Sequence, residues 1–150
     1  MKKSQEQLLE LAIEMACSGH KNQSDKFGTP YIFHPLRVMQ MGKTWDEKIV
    51  GILHDVIEDS PLYSIKDLET LGFPPHIVEA LVALNRKDES EDYEVLIERI
   101  QKNPLATAVK INDLKDNMDL TRFKKPISER DCIRLNKYLK AYQKLTNNNN

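Results

Sequence analysis

The chain has 150 residues, of which 40% are hydrophobic and 30% charged, enough for one domain with a single sizeable core and typical of a soluble globular protein. Its 22 Lys and Arg against 23 Asp and Glu leave a net charge of −1, which excludes the global basic field of a nucleic-acid or anionic-membrane binder. No apolar run approaches the roughly 20 residues that span a bilayer, and the basic start MKKSQEQLLE lacks a signal peptide's apolar segment, so a cytoplasmic protein is expected.

Helix signals recur along the chain, and no strand alternation competes with them. Ser4 with Gln7 makes a capping box ahead of the apolar stripe Leu8, Leu9, Ala12, Ile13, Met15 and Ala16, which predicts a helix stopping at 18–20. A polar loop follows over 21–33. Pro35 suits a first helical position, with His34 as the cap of a helix through Leu36, Val38 and Met39. Thr44 and Glu47 form a second capping box, opening a helix that carries Ile49 to Ile57 and ends at Ser60-Pro61.

A short helix over 64–71 is stopped by Gly72, and Pro75 starts the next. Ser90 opens a helix through Leu96 and Ile100, and Asn103-Pro104 opens another through Leu114. Ser128 with Asp131 opens the last, ending near Leu145, before a low-complexity Asn tail at 147–150 that should fray. Cys17 and Cys132 lack metal-type spacing and are expected to be buried, reduced thiols. Trp45 and Tyr63 are candidates for exposed surface and a homo-oligomer contact, and His76 for a surface residue. The fold class is all-α.

The stretch ILHDVIEDSP packs one imidazole and three carboxylates, His54, Asp55, Glu58 and Asp59, into six residues of an otherwise apolar segment. Unpaired, that much negative charge on a half-buried helix is costly, and a divalent ion is the simplest remedy. Glu58 and Asp59 lie one turn after His54 and Asp55, at a helix end where the macrodipole disfavours carboxylates. The alternative is a solvated acidic helix end with a core histidine. Two further ligands are on offer. His34 in PYIFHP is either a capping residue or a ligand; Asp113 in AVKINDLKDN is either paired with Lys110 or Lys115 or bound to a metal. Together the four make an N2O2 set suited to Mn, Fe, Zn or Mg.

PYIFHP, HDVIEDS and VKINDLKDN, in that order, resemble the HD superfamily of metal-dependent phosphohydrolases, and more narrowly the hydrolase domain of the RelA/SpoT homologues and its small stand-alone relatives. The resemblance runs from about Ala12 to about Leu120. It implies a single compact helical bundle over 1–146. It implies that His34, His54, Asp55 and Asp113 ligate a metal, usually Mn2+, and that Glu58 and Asp59 assist the attacking water. Lys26, Tyr31, Lys110 and Asn117 match or lie near nucleotide contacts, and Asn117 falls at i+4 from Asp113. The implied partner is a small phosphorylated nucleotide, with no nucleic acid and no membrane. The implied reaction removes the 3′-pyrophosphate of guanosine tetra- or pentaphosphate.

His20 and Gln23 align with the family's H-x-x-Q segment, and His20 is expected to support structure. The loop after it departs from the pattern. It reads Ser24-Asp25-Lys26 where the alarmone hydrolases carry consecutive basic residues, and the span from His34 to His54 is compact. The rival class is a nucleotide-binding or sensor module that keeps the fold without turnover. Glu58 and Asp59 argue against it, because binding alone needs no second acidic pair.

Overall fold

The computed structural model describes residues 1–147 and is all-α: among them the only strand-like feature is an isolated antiparallel bridge, Ser24 to Pro30, which closes the 21–32 loop. Helix α1 (Gln5–Gly19) begins on the expected box, with Ser4 accepting from the Gln7 N–H and the Gln7 side chain accepting from the Ser4 N–H. It buries Leu8, Ala12, Met15 and Ala16. Then come α2 (Phe33–Met41), α3 (Trp45–Leu53) and the single turn α4 (Val56–Asp59).

Helix α3 is the hub. Its last five residues, Ile49 to Leu53, are all buried, and it packs against α1, α2, α6 (Pro75–Leu84) and α8 (Pro104–Asn117). Each fully buried Ile or Leu in it contributes about 1.5–3 kcal/mol. Gly51 lets the α2 backbone come close: a Cβ there would sit 3.2 Å from Met39 Cα. The shell is completed by α5 (Ile65–Thr70), α7 (Tyr93–Gln101) and α9 (Glu129–Asn147), with a 3-10 turn at Leu120–Arg122.

The structure corrects several sequence expectations. Helix α2 starts at Phe33, because Phe33 and His34 already donate backbone bonds to Pro30 and Tyr31; His34 is therefore in the first turn and not the cap. The helix expected from Thr44 to Ile57 is two, broken at His54-Asp55. The His54 ring N–H takes Gly51 O at 2.6 Å, the carbonyl that a continuous helix would give to the Asp55 N–H. The second capping box is half formed: Thr44 accepts from the Glu47 N–H, but the Glu47 carboxylate turns to the Lys43 N–H. Helix α7 starts at Tyr93, capped by Asp92, because Ser90 is held in a turn by Asp88.

Both cysteines are exposed, contrary to expectation; each lies on a solvent-facing position of its helix. Trp45 is exposed, but Tyr63 is half-buried against the core. The Asn-tail expectation falls, apart from Asn147 at the end of α9, outside the described residues. Among these, no helix is long and apolar enough to cross a membrane.

Candidate active site

The break between α3 and α4 drops His54 and Asp55 into the interior beside His34 from α2 and Asp113 from α8. The two imidazoles point Nε2 at each other, 3.2 Å apart. Asp113 Oδ1 lies 3.0 Å from His34 Nε2 and 3.4 Å from His54 Nε2, and Asp55 Oδ2 lies 3.5 and 3.0 Å from the same two nitrogens. Ligands held about 2.1 Å from one ion stand about 3.0–3.4 Å apart. His34, His54 and Asp113 each bring a donor atom within 4.8 Å of the others, and Asp55 joins them through both imidazoles.

Protonation supports the same reading. Both Nδ1 atoms are engaged: His34 with Asp116 Oδ2 at 2.6 Å, His54 with Gly51 O at 2.6 Å. A carbonyl can only accept, so His54 Nδ1 carries a proton and Nε2 is the atom free for a ligand. The facing carboxylates draw protons onto both imidazoles. Burial pushes the His54 imidazolium down, but Asp55 and Asp113 outweigh it and raise its pKa to about 10. His34 rises well above the ordinary value against the same burial, driven by Asp113, Asp116 and Asp55. Burial alone would raise the Asp55 and Asp113 carboxyls. His54 and His34 beside Asp55, and Lys110 with both imidazoles beside Asp113, hold them well below the carboxylate range instead. One buried and one half-buried carboxylate facing two imidazole Nε2 atoms fit a divalent cation.

The remaining expected site residues gather around this cluster. The Tyr31 hydroxyl donates to Asp55 Oδ2 at 2.5 Å. Lys110 holds Asp113 Oδ2 at 2.8 Å, and Asn117 donates to Asp113 Oδ1 at 3.0 Å. Asp113 thus has both the lysine partner and the imidazoles; Lys115 is exposed. Lys26 stands at the rim, 3.4 Å from Asp131 and over the Phe123 ring. Glu58 lines the same cavity and accepts from the Arg86 backbone N–H, whereas Asp59 lines a second, neighbouring cavity with Glu58. Burial, then Asp55 and Glu58, push the Asp59 carboxyl up to about 7; burial and Asp55 raise Glu58 as well.

Asp25 lines the same cavity as the cluster. Its Oδ1 accepts from the Phe27 and Thr29 N–H groups at 2.9 Å each and holds the loop turn, where Gly28 has φ +79°. His20 is buried and bonds Gln23 at 2.8 Å, and Gln23 donates to Asp59 O, which ties the end of α1 to α4. His76 is exposed and pairs with Asp46.

The cavity measures about 460 Å³, within the range of small-molecule sites. Seven cationic side chains line it against four carboxylates. Five of the cations, Arg37, Arg86, Arg122, Arg134 and Lys137, come from positions that no motif marked. Arg134, Lys137 and Tyr138 recur at helical spacing on α9, the one available signal, but nothing in the sequence says that this face meets α8. Asp116, buried between His34, Arg37 and Arg122, was also missed.

The fold and site together define an all-α protein with a buried His/Asp cluster at the floor of a cationic cavity. No family model matches the chain. It is similar to a probable GTP pyrophosphokinase of Mycobacterium leprae, at 29% identity over 130 residues, 79% of this chain and 16% of that protein. It is similar to a guanosine-3′,5′-bis(diphosphate) 3′-pyrophosphohydrolase of Aquifex aeolicus, at 29% over 119 residues, 73% of this chain and 17% of that one. It is also similar to the bifunctional (p)ppGpp synthase/hydrolase SpoT of Escherichia coli, at 27% over 124 residues, with the same shares of 73% and 17%. The chain spans about a sixth of the length of these curated relatives.

Proposed function

We propose that residues 1–146 form one hydrolase domain of the HD type. It removes the 3′-pyrophosphate from guanosine tetra- or pentaphosphate with the help of a divalent ion, most simply Mn2+. The observation that carries this is the convergence of His34 Nε2, His54 Nε2 and Asp113 Oδ1 within 4.8 Å of one another, with Asp55 Oδ2 at 3.0–3.5 Å from both imidazole nitrogens, on the floor of a cationic cavity. The relatives' names include both a pyrophosphokinase and a 3′-pyrophosphohydrolase. A His/Asp cluster with an acidic pair beside it suits hydrolysis, because it offers ligands and a base for water.

His34, His54, Asp55 and Asp113 would hold the ion, which supplies Lewis acidity and a lowered pKa for water. Tyr31 and Asn117 fix the orientation of Asp55 and Asp113. Glu58, on the cavity wall, is placed to orient water. Asp59, with its carboxyl near neutrality, is suited to accept water's proton. Lys26, Arg37, Arg86, Arg122, Arg134 and Lys137 face the substrate's phosphates and replace the basic loop residues that Ser24 and Asp25 lack. One water is consumed: its oxygen bonds to the 3′-linked phosphorus, the bond from that phosphorus to the ribose oxygen breaks, and the ribose oxygen takes a proton.

The test is phosphate release, coupled through pyrophosphatase, over a nucleotide panel with Mn2+ or with EDTA. The expected result is Mn2+-dependent release from 3′-pyrophosphorylated guanosine nucleotides by the wild type and none by Asp55→Ala. Tight Mn2+ binding with no product from any nucleotide would point to a sensor module instead.

A further inference from the structure

We propose that Asp116 is a positioning residue that fixes the His34 tautomer and thereby sets the affinity of the cluster for its metal ion; this rests on the metal assignment above. Asp116 lies on the last turn of α8, three residues after Asp113, and only 5% of it is exposed. Its Oδ2 meets His34 Nδ1 at 2.6 Å and Arg37 Nη2 at 3.1 Å. Its Oδ1 accepts from Arg37 Nε at 2.7 Å and Arg122 Nη1 at 2.8 Å, and its backbone carbonyl accepts from Arg122 Nη2 at 2.8 Å.

Guanidinium groups have no acceptor, so both oxygens of Asp116 are committed to accepting. That leaves His34 Nδ1 one role, donor, and the ring must present Nε2 to Asp113, Asp55 and His54. An outer carboxylate that orients a ligating imidazole in this way tunes metal affinity without touching the metal. His54 reaches the same tautomer through Gly51 O, a backbone group that no substitution removes. The two ligands therefore differ: only the His34 device can be mutated away.

An amide replacement makes the consequence sharp. In Asp116→Asn one side-chain atom remains an acceptor and the other becomes an NH2 donor. The oxygen belongs at the Oδ1 position, where two guanidiniums donate, which turns the NH2 toward His34. Facing a donor, His34 moves its proton to Nε2, the atom that must be bare for the metal.

The experiment is Mn2+ binding by calorimetry and by the electron paramagnetic resonance signal of free Mn2+, on the full chain without nucleotide. Wild type is expected to bind, and Asp116→Asn about 10–100-fold more weakly at unchanged helical circular dichroism. In zinc-loaded, nitrogen-15-labelled protein, the His34 Nδ1 proton is expected in the wild type and lost in the variant. Should Asp116→Asn fail to fold, the charge-balanced double variant D116N/R122Q takes its place with the same expectation. Variant binding equal to wild type overturns this proposal alone. A wild type that takes up no Mn2+ overturns the metal assignment and this proposal with it.

Discussion

Asp55 Oδ2 is approached by the Tyr31 hydroxyl and by both imidazole Nε2 atoms, so one oxygen of one residue joins the loop, α2 and the α3–α4 break. Such a site is stable without metal only while protons stand in for the ion. His54 loses its proton near its ordinary value of 6.5 when unfolded but holds it to about 10 when folded, burial notwithstanding, because of Asp55 and Asp113. The folded state thus binds more protons between those limits. The stabilisation is complete below pH 6.5 and lost as pH rises to about 10. Metal-free protein should therefore lose roughly 5 °C or more of Tm across that window, at roughly 2–4 °C per kcal/mol for a chain of this size. Saturating Mn2+ should flatten the profile, since the ion replaces the protons. Differential scanning calorimetry decides, and a metal-free Tm that does not fall with pH would contradict the electrostatic account. At this scale the grouping of His34, His54, Asp55 and Asp113 was expected from the resemblance carried by PYIFHP, HDVIEDS and VKINDLKDN, because by residue type alone His34 could cap a helix and Asp113 could pair with a lysine. Asp116 was not: in the run KDN it looks like a solvated helix end, and its partner His34 is 82 positions away.

The element that matters most is the turn α4, held against the end of α1. Val56 is fully buried and packs where Gly19 has no side chain; a Cβ on Gly19 would overlap Val56 Cγ2 and crowd Ser60. Val56 is β-branched and stiff, so relief must come from backbone movement of α4. Gly19→Ala is predicted to destabilise by about 1–3 kcal/mol and to weaken Mn2+ binding, because α4 follows directly on His54-Asp55. Urea unfolding and Mn2+ titration check the two parts, and a variant as stable as wild type would contradict this packing. The elements themselves were largely readable where the cap is local. Ser4 with Gln7, Ser64 with Asp67 and Ser128 with Asp131 all close reciprocally. The break at 54–55 was not readable, because it depends on a ring-to-carbonyl bond invisible in the apolar periodicity. The late start of α7 depends likewise on a local turn at Asp88.

At the scale of the whole molecule, a net charge of −1 conceals a cavity with seven cationic side chains against four carboxylates. Only Lys26 of the 24–26 loop adds to that basic character, and part of the rest, Arg134 and Lys137, comes from α9, which packs on α8 and α7. Arg134→Ala should therefore raise KM for a polyphosphorylated nucleotide by roughly tenfold or more, the usual size of a lost charged hydrogen bond, while leaving Mn2+ affinity unchanged. Steady-state kinetics with a parallel Mn2+ titration separate the two, and an unaltered KM would remove α9 from substrate binding. The most direct test of the central claim is phosphorus-31 NMR of guanosine tetraphosphate incubated with the chain. With Mn2+, pyrophosphate and GDP should appear together in equal amounts, and neither should form with EDTA or with Asp113→Ala. No product under Mn2+, or the same rate with Asp113→Ala, would contradict the account.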